Sequence, residues 1–394
     1  MRRFVPFLLL LFVVAAILRI DFFFTIVYFL IAAYALSRMW IQRAVGQLHV
    51  ERRFVDHAFC GDRPRATLTI HNEGWLPVSW LTLHESLPVD LRTPPFLRQV
   101  LTLGPHSRHS FNYAMHCRRR GYYSVGPLRL QVGDLLGLAR PRQRDVEAEP
   151  FVVYPHVVPL QQLGLPTRSP QVALRARTPL FEDPARVAGV RGYELGDSPR
   201  RIHWTATAST GQLLVKQYEP SIARETLIVL DMGREHFEQR RRYTATELAV
   251  VVAASLAHHI AVNERLSVGL AAEGWDPLSE ERARFYLPPR KERAHLMKLL
   301  EVLARIGLVD EVALPDLLRR ESVRLPWGAT LVVIAGQESE GLYDTLVYLR
   351  RAGFAVSLVL IQPVHPSEEL RRRAPLLGVP VHQVWSEKDL RPWR

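Results

Sequence analysis

Two apolar runs at the N-terminus constrain the fold of this chain more than any other feature. They cover Phe4–Leu18 and Phe22–Leu36, and only Arg19, Ile20 and Asp21 separate them. As helices the runs are each about 22 Å long, shorter than a bilayer core of about 30 Å. A single long helix would leave Arg19 and Asp21 in mid-bilayer, at a cost of a few kcal/mol each. The runs therefore predict a transmembrane helical hairpin whose flanking side chains reach the interfaces.

A secretory signal is the alternative interpretation of this N-terminus, because charged residues followed by an apolar run begin many signals. Against it, no small-residue cleavage site closes the first run, and a second run follows at once. Arg2 and Arg3 precede the runs and Arg38 and Arg43 follow them, so the positive-inside rule places both ends in the cytoplasm. We therefore expect a two-pass protein of the inner membrane with its soluble domains in the cytoplasm and Trp40 as an interface anchor.

The length and charge of the chain set further limits. A chain of 394 residues usually forms more than one core, which predicts two soluble domains besides the hairpin. The formal charge of +12 comes from scattered arginines without a nucleic-acid-reading motif, so we expect no nucleic-acid partner. Cys60 and Cys117 are the only cysteines, too few for a disulfide framework or a cysteine zinc site.

The sequence predicts four parts. They are a transmembrane hairpin (1–40), an antiparallel β-sandwich (41–148), a connector with a distinctive helix and strand (149–222) and a doubly wound α/β domain (223–394). The sandwich follows from short alternating segments between Gly, Pro and Asn turns: Ala66–Ile70, Ser79–Leu83, His109–Met115 and Gly126–Val132.

A basic run, Arg118, Arg119 and Arg120, lies in the predicted sandwich. Such a run is usually a solvated strand end. Its place in a membrane-anchored chain leaves lipid headgroups as an alternative ligand. The proline-rich residues Pro141–Pro184 that follow predict an extended connector with one clear strand, Pro150–Tyr154.

The most unusual composition lies in Gly189–Glu219. Ser198 and Pro199 are typical of a helix start and Gly211 of a helix stop, which predicts a helix over Pro199–Ser209 and then a strand over Gln212–Tyr218. On that helix Ile202, Ala206 and Ser209 would share one face.

Two interpretations of this stretch stay open. In the first, Arg191, Asp197, Arg200 and Trp204 form an interdomain clasp, with the tryptophan burying area and the Arg–Asp pair fixing orientation. In the second, the same residues form a partner-binding or anion-binding surface, since a helix N-terminus flanked by arginine attracts anions.

From residue 225 onward, apolar strands alternate with helices, which predicts a parallel sheet covered on both faces. The strands are Thr226–Asp231, Leu266–Ala272, Thr330–Ala335, Ala355–Ile361 and Val379–Val384, and the helices are Thr244–Asn263, Pro289–Ile306, Gly341–Ala352 and Ser367–Arg373. Ligand crevices in such domains lie at the carboxyl ends of the strands, where Asp231 stands.

The chain resembles the domain of unknown function 58 family of membrane-anchored bacterial and archaeal proteins. One matching passage is Arg118–Leu138, with its Arg-Gly-Tyr, Gly-Pro and Asp-x-x-Gly-Leu elements. The more specific passage is Arg191–Glu219, in which the matching residues are Arg191, Tyr193, Gly196, Asp197, Arg200, Ile202, Trp204 and Ala208. The arginine that the family has after that alanine is Ser209 here.

The resemblance implies a von Willebrand factor type A-like C-terminal domain and an association with MoxR-type AAA+ ATPases. Intact members of that wider fold hold a divalent cation through Asp-x-Ser-x-Ser, with the oxygen ligands that Mg²⁺ prefers. Here Asp231 is followed by Met232, Gly233, Arg234 and Glu235, so both serines are missing. We therefore expect a degenerate position without a functional metal and no cofactor.

Three function classes follow. The first is a non-enzymatic, membrane-tethered adaptor that works with a MoxR-type ATPase in the assembly or maturation of other proteins. The second is a module that binds anionic lipid or cell envelope. The third is an enzyme: Cys60 and Cys117 lie in predicted strands, where small thiols are usually buried, and the candidate bases are His203, His258 and His259. We expect that the protein is not an enzyme.

Overall fold

A computed structural model describes most of the chain. The described residues are 10–14, 17, 21–91, 98–134, 137, 139–160, 182–193, 202–220, 225–363 and 379–390. The chain divides into two compact units, Met1–His156 and Val157–Arg394.

The first long element is helix α1, Asp21–Gly46. It is long and apolar enough to cross a membrane. Its apolar side chains are mostly exposed or half-buried, whereas Val27 and, near its end, Ile41 and Ala44 are buried. The helix therefore continues past the predicted apolar run Phe22–Leu36, because its last turns belong to the core of the first unit.

The described part of the first unit is rich in strands. They are β1 (Leu48–Arg53), β2 (His57–Phe59), β3 (Arg65–Asn72), β4 (Val78–Glu85), β5 (Arg98–Leu103), β6 (Arg108–Ala114), β7 (Gly121–Val125), β8 (Leu128–Gly133), β9 (Arg142–Val146) and β10 (Glu149–Tyr154).

These strands form sheets in the orders β1-β3-β6, β5-β4-β8-β9 and β2-β10-β7. One core combines Leu68 and Ile70 of β3 with Leu81 of β4 and Leu130 of β8, so the first two sheets share a buried layer. The alternating pattern predicted this arrangement, since each strand turns one face inward. The pairing is antiparallel except between β2 and β10, which run parallel.

Two strands, β9 and β10, lie where the sequence predicted a connector with one strand. Arg142–Val146 pairs with β8, and Glu149–Tyr154 pairs with β7 and β2. Phe151 and Val153 of β10 are fully buried in a smaller core of the first unit. The predicted strand Pro150–Tyr154 is confirmed within β10, whereas β9 was missed because its charged residues give no apolar alternation.

The second unit contains a two-stranded and a six-stranded sheet. Its described elements are β11 (Glu182–Gly192), α2 (Trp204–Thr210), β12 (Leu214–Pro220), β13 (Glu225–Leu230), α3 (Arg242–His258), β14 (Ser267–Asp276), β15 (Glu281–Arg290), α4 (Arg293–Arg305), α5 (Leu314–Ser322), β16 (Thr330–Ala335), α6 (Glu340–Arg351), β17 (Ala355–Ile361) and β18 (Val381–Val384).

The six-stranded sheet has the order β15-β14-β13-β16-β17-β18. Numbered along the chain within this sheet, the order is 3-2-1-4-5-6, that of a doubly wound domain. Thr330–Ala335 and Ala355–Ile361 form strands over the predicted residues. The predicted helix Ser367–Arg373 lies outside the described residues. Helix α3, extended by a π-helical turn at His259–Asn263, is buried in the core, so its membrane-like composition reflects packing.

Strand β15 makes the sheet mixed, whereas the sequence predicted a parallel one. It pairs antiparallel with β14 at one edge of the sheet. The helix predicted over Pro289–Ile306 begins only at Arg293, because its first residues belong to β15. Prolines 288 and 289 are tolerated because an edge strand has one unpaired side. Across the pair, Glu273 accepts from Arg282 at 2.7 Å and from Arg284 at 3.3 Å. The sequence also missed helix α5.

Candidate functional site

The distinctive stretch is built on an antiparallel strand pair. Arg191 of β11 lies opposite Val215 of β12, and Ile202 forms a further antiparallel bridge to the same valine. Val215 is buried, while Arg191 and Ile202 are half-buried. The backbone of Tyr193 donates to Leu213 at 2.9 Å and thus extends the pairing. The pairing therefore fixes Arg191, Tyr193 and Ile202 around one central strand.

Helix α2 is shorter than predicted. It begins at Trp204, and the Nδ1 atom of His203 caps it by accepting from the Ala206 amide at 3.1 Å. The helix starts late because the His203 amide donates to Leu214 of β12 at 2.9 Å, which holds that residue beside the strand. Gly211 ends the helix in the left-handed conformation, as predicted. The predicted common face of Ile202, Ala206 and Ser209 is wrong, because Ile202 precedes the helix.

Trp204 is the most exposed of the predicted signature side chains that the structure describes. Its exposed fraction is 68%, and that of Tyr193 is 39%. Gly196, Asp197 and Arg200 lie outside the described residues. The side chain that a clasp would bury is thus largely open to solvent.

The basic run sits in a hydrogen-bonded turn of the first unit. The Tyr123 hydroxyl donates to the Arg119 carbonyl at 3.0 Å, and the Cys60 thiol donates to the Arg118 carbonyl at 3.3 Å. The Arg119 guanidinium lies 3.7 Å from the Asp90 carboxylate. Arg120 is half-buried, whereas Arg118 and Arg119 are exposed. The turn therefore uses these residues to shape the backbone, and Asp90 offsets part of their charge.

Asp231 stands where the doubly wound sheet reverses its order, between β13 and β16. Its amide donates to Ile334 of β16 at 2.9 Å. Its carboxylate is buried, accepts from the Gly233 amide at 2.9 Å and lies 2.8 Å from Nδ1 of His236. The hydrogen bond that His236 donates to Asp231 raises the pKa of His236, and partial burial opposes this change. The carboxylate therefore already has two donors within its own loop.

Arg234, which follows Asp231 in the degenerate motif, pairs with a carboxylate outside its own loop. Its guanidinium lies 3.2 Å from the Asp310 carboxylate, and its amide donates to Val309 at 2.8 Å. Arg234, Trp275 and Arg282 help to line an open cavity of about 590 Å³. Within the described part of the chain, no three His, Cys, Asp or Glu side chains are placed to hold a metal ion.

Sequence analysis did not identify Glu338 and Tyr343, two residues that follow the carboxyl end of β16. Glu338 follows β16, and burial raises its pKa. Burial, with a smaller contribution from Glu338, raises the pKa of Tyr343 to about 12. Among the described residues, neither Oε2 of Glu338 nor the Tyr343 hydroxyl has a hydrogen-bond partner. A carboxylate just beyond a predicted strand end was the available signal, because carboxyl ends of strands form the crevice in this architecture.

The cysteines lie outside the strands in which the sequence placed them. Cys60 follows β2 in a turn, and Cys117 lies between β6 and β7. Cys117 is fully buried, and this burial raises the pKa of its thiol to about 11. A thiol of this kind is a poor nucleophile at neutral pH.

Two of the three candidate bases, His203 and His259, have structural partners. His203 caps α2, whereas His258 and His259 are half-buried at the end of α3. Nε2 of His259 lies 3.6 Å from the carboxylate of Glu264. Burial, followed by the neighbouring His259, lowers the pKa of His258. Packing and helix termination thus account for these histidines.

A single family model matches both the signature stretch and most of the α/β sheet. Residues 189–369 match the model of a family described as protein of unknown function DUF58. Over these residues the chain belongs to the DUF58 family. A relative in Bacillus subtilis (strain 168), an uncharacterized protein named YeaD, is 24% identical over 319 residues. That alignment covers 76% of this chain and 72% of the relative, so the DUF58 chain and YeaD share more than the matched segment.

Solved structures resemble this DUF58 chain only distantly. A CARDB domain from Pyrococcus furiosus, described in complex with di-metal ions, is 15% identical with a TM-score of 0.21, covering 27% of this chain and 91% of that domain. The pilus adhesin SpaC from Lactobacillus rhamnosus GG is 11% identical with a TM-score of 0.31, covering 45% of this chain and 30% of the adhesin. Neither likeness carries a functional argument.

Proposed function

We propose that the protein is a membrane-tethered, non-enzymatic adaptor that docks a partner protein through the segment around Trp204. The observation that carries this proposal is the 68% exposure of Trp204. The partner that the family resemblance implies is a MoxR-type AAA+ ATPase, acting in the assembly or maturation of other proteins.

An exposed tryptophan in this setting is suited to protein recognition. Indole rings supply large contact areas and are enriched among the residues that dominate interface energies. Tyr193 adds a second partly exposed aromatic ring, and the pairing of β11 with β12 holds the backbone next to both in a fixed form. Aromatic side chains on a fixed backbone lose little conformational entropy on binding, which favours docking.

The membrane tether is supported by the N-terminal aromatic rings. The Phe12 and Phe24 ring centroids are 6.0 Å apart. Twelve residues of continuous helix would separate them by about 18 Å along the axis. The observed distance is too short for one continuous helix through both rings, which favours the proposed two-pass hairpin. The hairpin would keep the docking surface at the cytoplasmic face of the inner membrane.

For the second unit we propose a von Willebrand factor type A-like domain that works without a metal. The order of the six-stranded sheet and the place of Asp231 at the reversal of that order support the architecture. His236 and the Gly233 amide already engage the Asp231 carboxylate. Such a domain would act through its surface.

The test compares Trp204→Ala with Trp75→Ala, a matched control because Trp75 is 66% exposed in the first unit. Full-length protein in detergent is used to capture a purified MoxR-type ATPase from the same genome. We expect Trp204→Ala to lower capture at least about tenfold, as for a central interface tryptophan, with an unchanged melting temperature. Loss of folding in Trp204→Ala would support the clasp, and undiminished capture would contradict docking at this site.

The enzyme alternative receives less support. The candidate nucleophile Cys117 is fully buried, with a thiol pKa of about 11. The lipid-binding alternative is supported by a separate observation: Arg38 of α1 lines a cavity together with Arg140 and Arg142.

A further inference from the structure

We propose that the junction between α1 and the β-rich region binds the phosphate of an anionic phospholipid headgroup. This inference rests on the membrane tether of the proposed function, and it is independent of the ATPase partner. The site is a cavity of about 270 Å³, lined by residues of α1 and by residues just before and within β9. Its charged lining side chains are Arg38, Arg140 and Arg142. We call these three residues the junction arginines.

The spacing of residues on α1 builds one wall of the cavity. Tyr34, Arg38 and Gln42 are four residues apart and lie on one stripe of the helix. Ile41 lies beside this stripe and is buried in the β-rich core. The opposite wall is the segment from Ala139 to Arg142, which enters β9. The wall is held in place because Arg142 lies opposite Val132 in the β8–β9 pairing.

The junction arginines carry uncompensated charge. Within the described part of the chain, none of them has a carboxylate within 4.0 Å, although many other arginines of this protein do. A carboxylate of the junction, Asp134, accepts from the Ser37 hydroxyl at 2.6 Å and from the Ala139 amide at 3.4 Å. Asp134 thus fastens the helix to the loop before β9. Three exposed guanidinium groups remain to bind an anion.

The position of the cavity along α1 identifies the anion as a lipid phosphate. Above it the helix exposes an apolar surface that includes Phe22, Tyr28, Phe29 and Leu36. Below it Ile41 and Ala44 are buried in protein. The boundary between lipid and water therefore falls near Arg38, and the Trp40 indole donates to the Pro77 carbonyl at 3.0 Å at that level. Headgroup phosphates occupy this depth, and basic side chains beside a membrane helix attract anionic lipid.

The test is native mass spectrometry of the full-length protein, purified in detergent and titrated with phosphatidylglycerol or with phosphatidylcholine. Wild type is compared with the triple variant Arg38→Gln, Arg140→Gln and Arg142→Gln. The matched control is Arg118→Gln, Arg119→Gln and Arg120→Gln, which removes the same charge from the basic run. Inorganic phosphate and glycerol phosphate serve as free-anion probes.

We expect wild type and control to retain phosphatidylglycerol in preference to phosphatidylcholine. The junction variant should lose this preference, by about fivefold for each arginine, because one basic residue near an anionic surface contributes about 1 kcal/mol. Equal retention of both lipids by wild type, or equal loss in both triple variants, would overturn the site. Displacement of the lipid by free phosphate at micromolar concentration would assign it to a soluble anion and overturn the lipid assignment.

Vesicle flotation separates failure of this site from failure of the tether. If the hairpin does not insert, carbonate washing releases the protein from vesicles of either lipid. If the hairpin inserts and the junction site is absent, the protein stays bound without a lipid preference. If the triple variant does not fold, Arg38→Gln alone repeats the comparison, with an expected change of about fivefold. An unchanged preference in a folded Arg38→Gln would count against the proposal.

Discussion

His236 and Asp231 form a hydrogen-bonded pair, with Nδ1 of the histidine 2.8 Å from the buried carboxylate. The pair closes the loop that follows the first strand of the six-stranded sheet. In the von Willebrand factor type A-like fold that we propose for this unit, hydroxyl side chains and a cation would engage the carboxylate at this position. In this protein the imidazole of His236, in the same loop, is hydrogen-bonded to the Asp231 carboxylate.

The Asp231–His236 pair predicts a pH-dependent stability. The carboxylate raises the pKa of His236 above its unfolded value, so the contribution is complete below pH 6.5 and disappears as pH rises through the folded pKa. His236→Gln should therefore cost about 0.5–1 kcal/mol more at pH 6 than at pH 9, a small value because water screens the partly exposed ring. Chemical denaturation at the two pH values measures this difference. Equal losses at both values would refute the linkage, and Asp231→Asn should abolish the same pH dependence.

Gly336 predicts a steric requirement beside this pair. A Cβ atom at this position would overlap the His236 carbonyl oxygen and the Phe237 ring. Gly336→Ala should therefore destabilise the second unit by about 2–3 kcal/mol through overpacking. Gly341→Ala is the matched control, because a Cβ there meets nothing within 4 Å and the residue lies in helix α6. The control should be neutral or stabilising by up to about 1 kcal/mol, and thermal unfolding compares the two variants. A stable Gly336→Ala would show that the loop can move away.

Arg52 and Glu85 predict a strong coupling within the first unit. Their side chains are 1% and 0% exposed and 2.9 Å apart. Burial raises the pKa of Glu85, and Arg52 opposes that change. Arg52→Met leaves a buried carboxylate unpaired and should cost about 3–5 kcal/mol at pH 7, less at pH 4.5 where Glu85 binds a proton more readily.

The double variant Arg52→Met with Glu85→Leu tests that explanation. It should recover most of the stability, because an apolar pair of similar volume carries no desolvation cost. Thermal unfolding of the full-length protein in detergent provides the comparison. If the double variant is as unstable as Arg52→Met, lost packing and not the unpaired charge is the cause.

The sequence anticipated the elements that local patterns specify. The strands Thr330–Ala335 and Ala355–Ile361 are continuous apolar runs, and buried parallel strands need that composition. Gly211 was recognised as a helix stop because the left-handed conformation favours glycine. The signature residues also located the segment that belongs to the DUF58 family. These features depend on residues close together in the chain.

Other features depend on partners that lie far apart in the chain. Helix α2 begins at Trp204 and not at Pro199, because the His203 amide bonds to a strand eleven residues away. Strand β15, which contains two prolines, exists because β14 offers an edge for pairing. The engagement of Asp231 by His236 was not apparent in the sequence, since a short 3₁₀ turn has to bring the ring back to the strand end.

The sequence by itself determined the apolar N-terminal runs, the alternation of strands and helices and the family to which the signature segment belongs. Periodicity and composition carry this information, because burial and backbone geometry impose them residue by residue. Only the tertiary structure decided that Trp204 is exposed, that the Asp231 carboxylate is already occupied and that the junction arginines surround one cavity. Those properties depend on which residues, far apart in the chain, lie close together in the fold. Local sequence patterns do not specify such contacts.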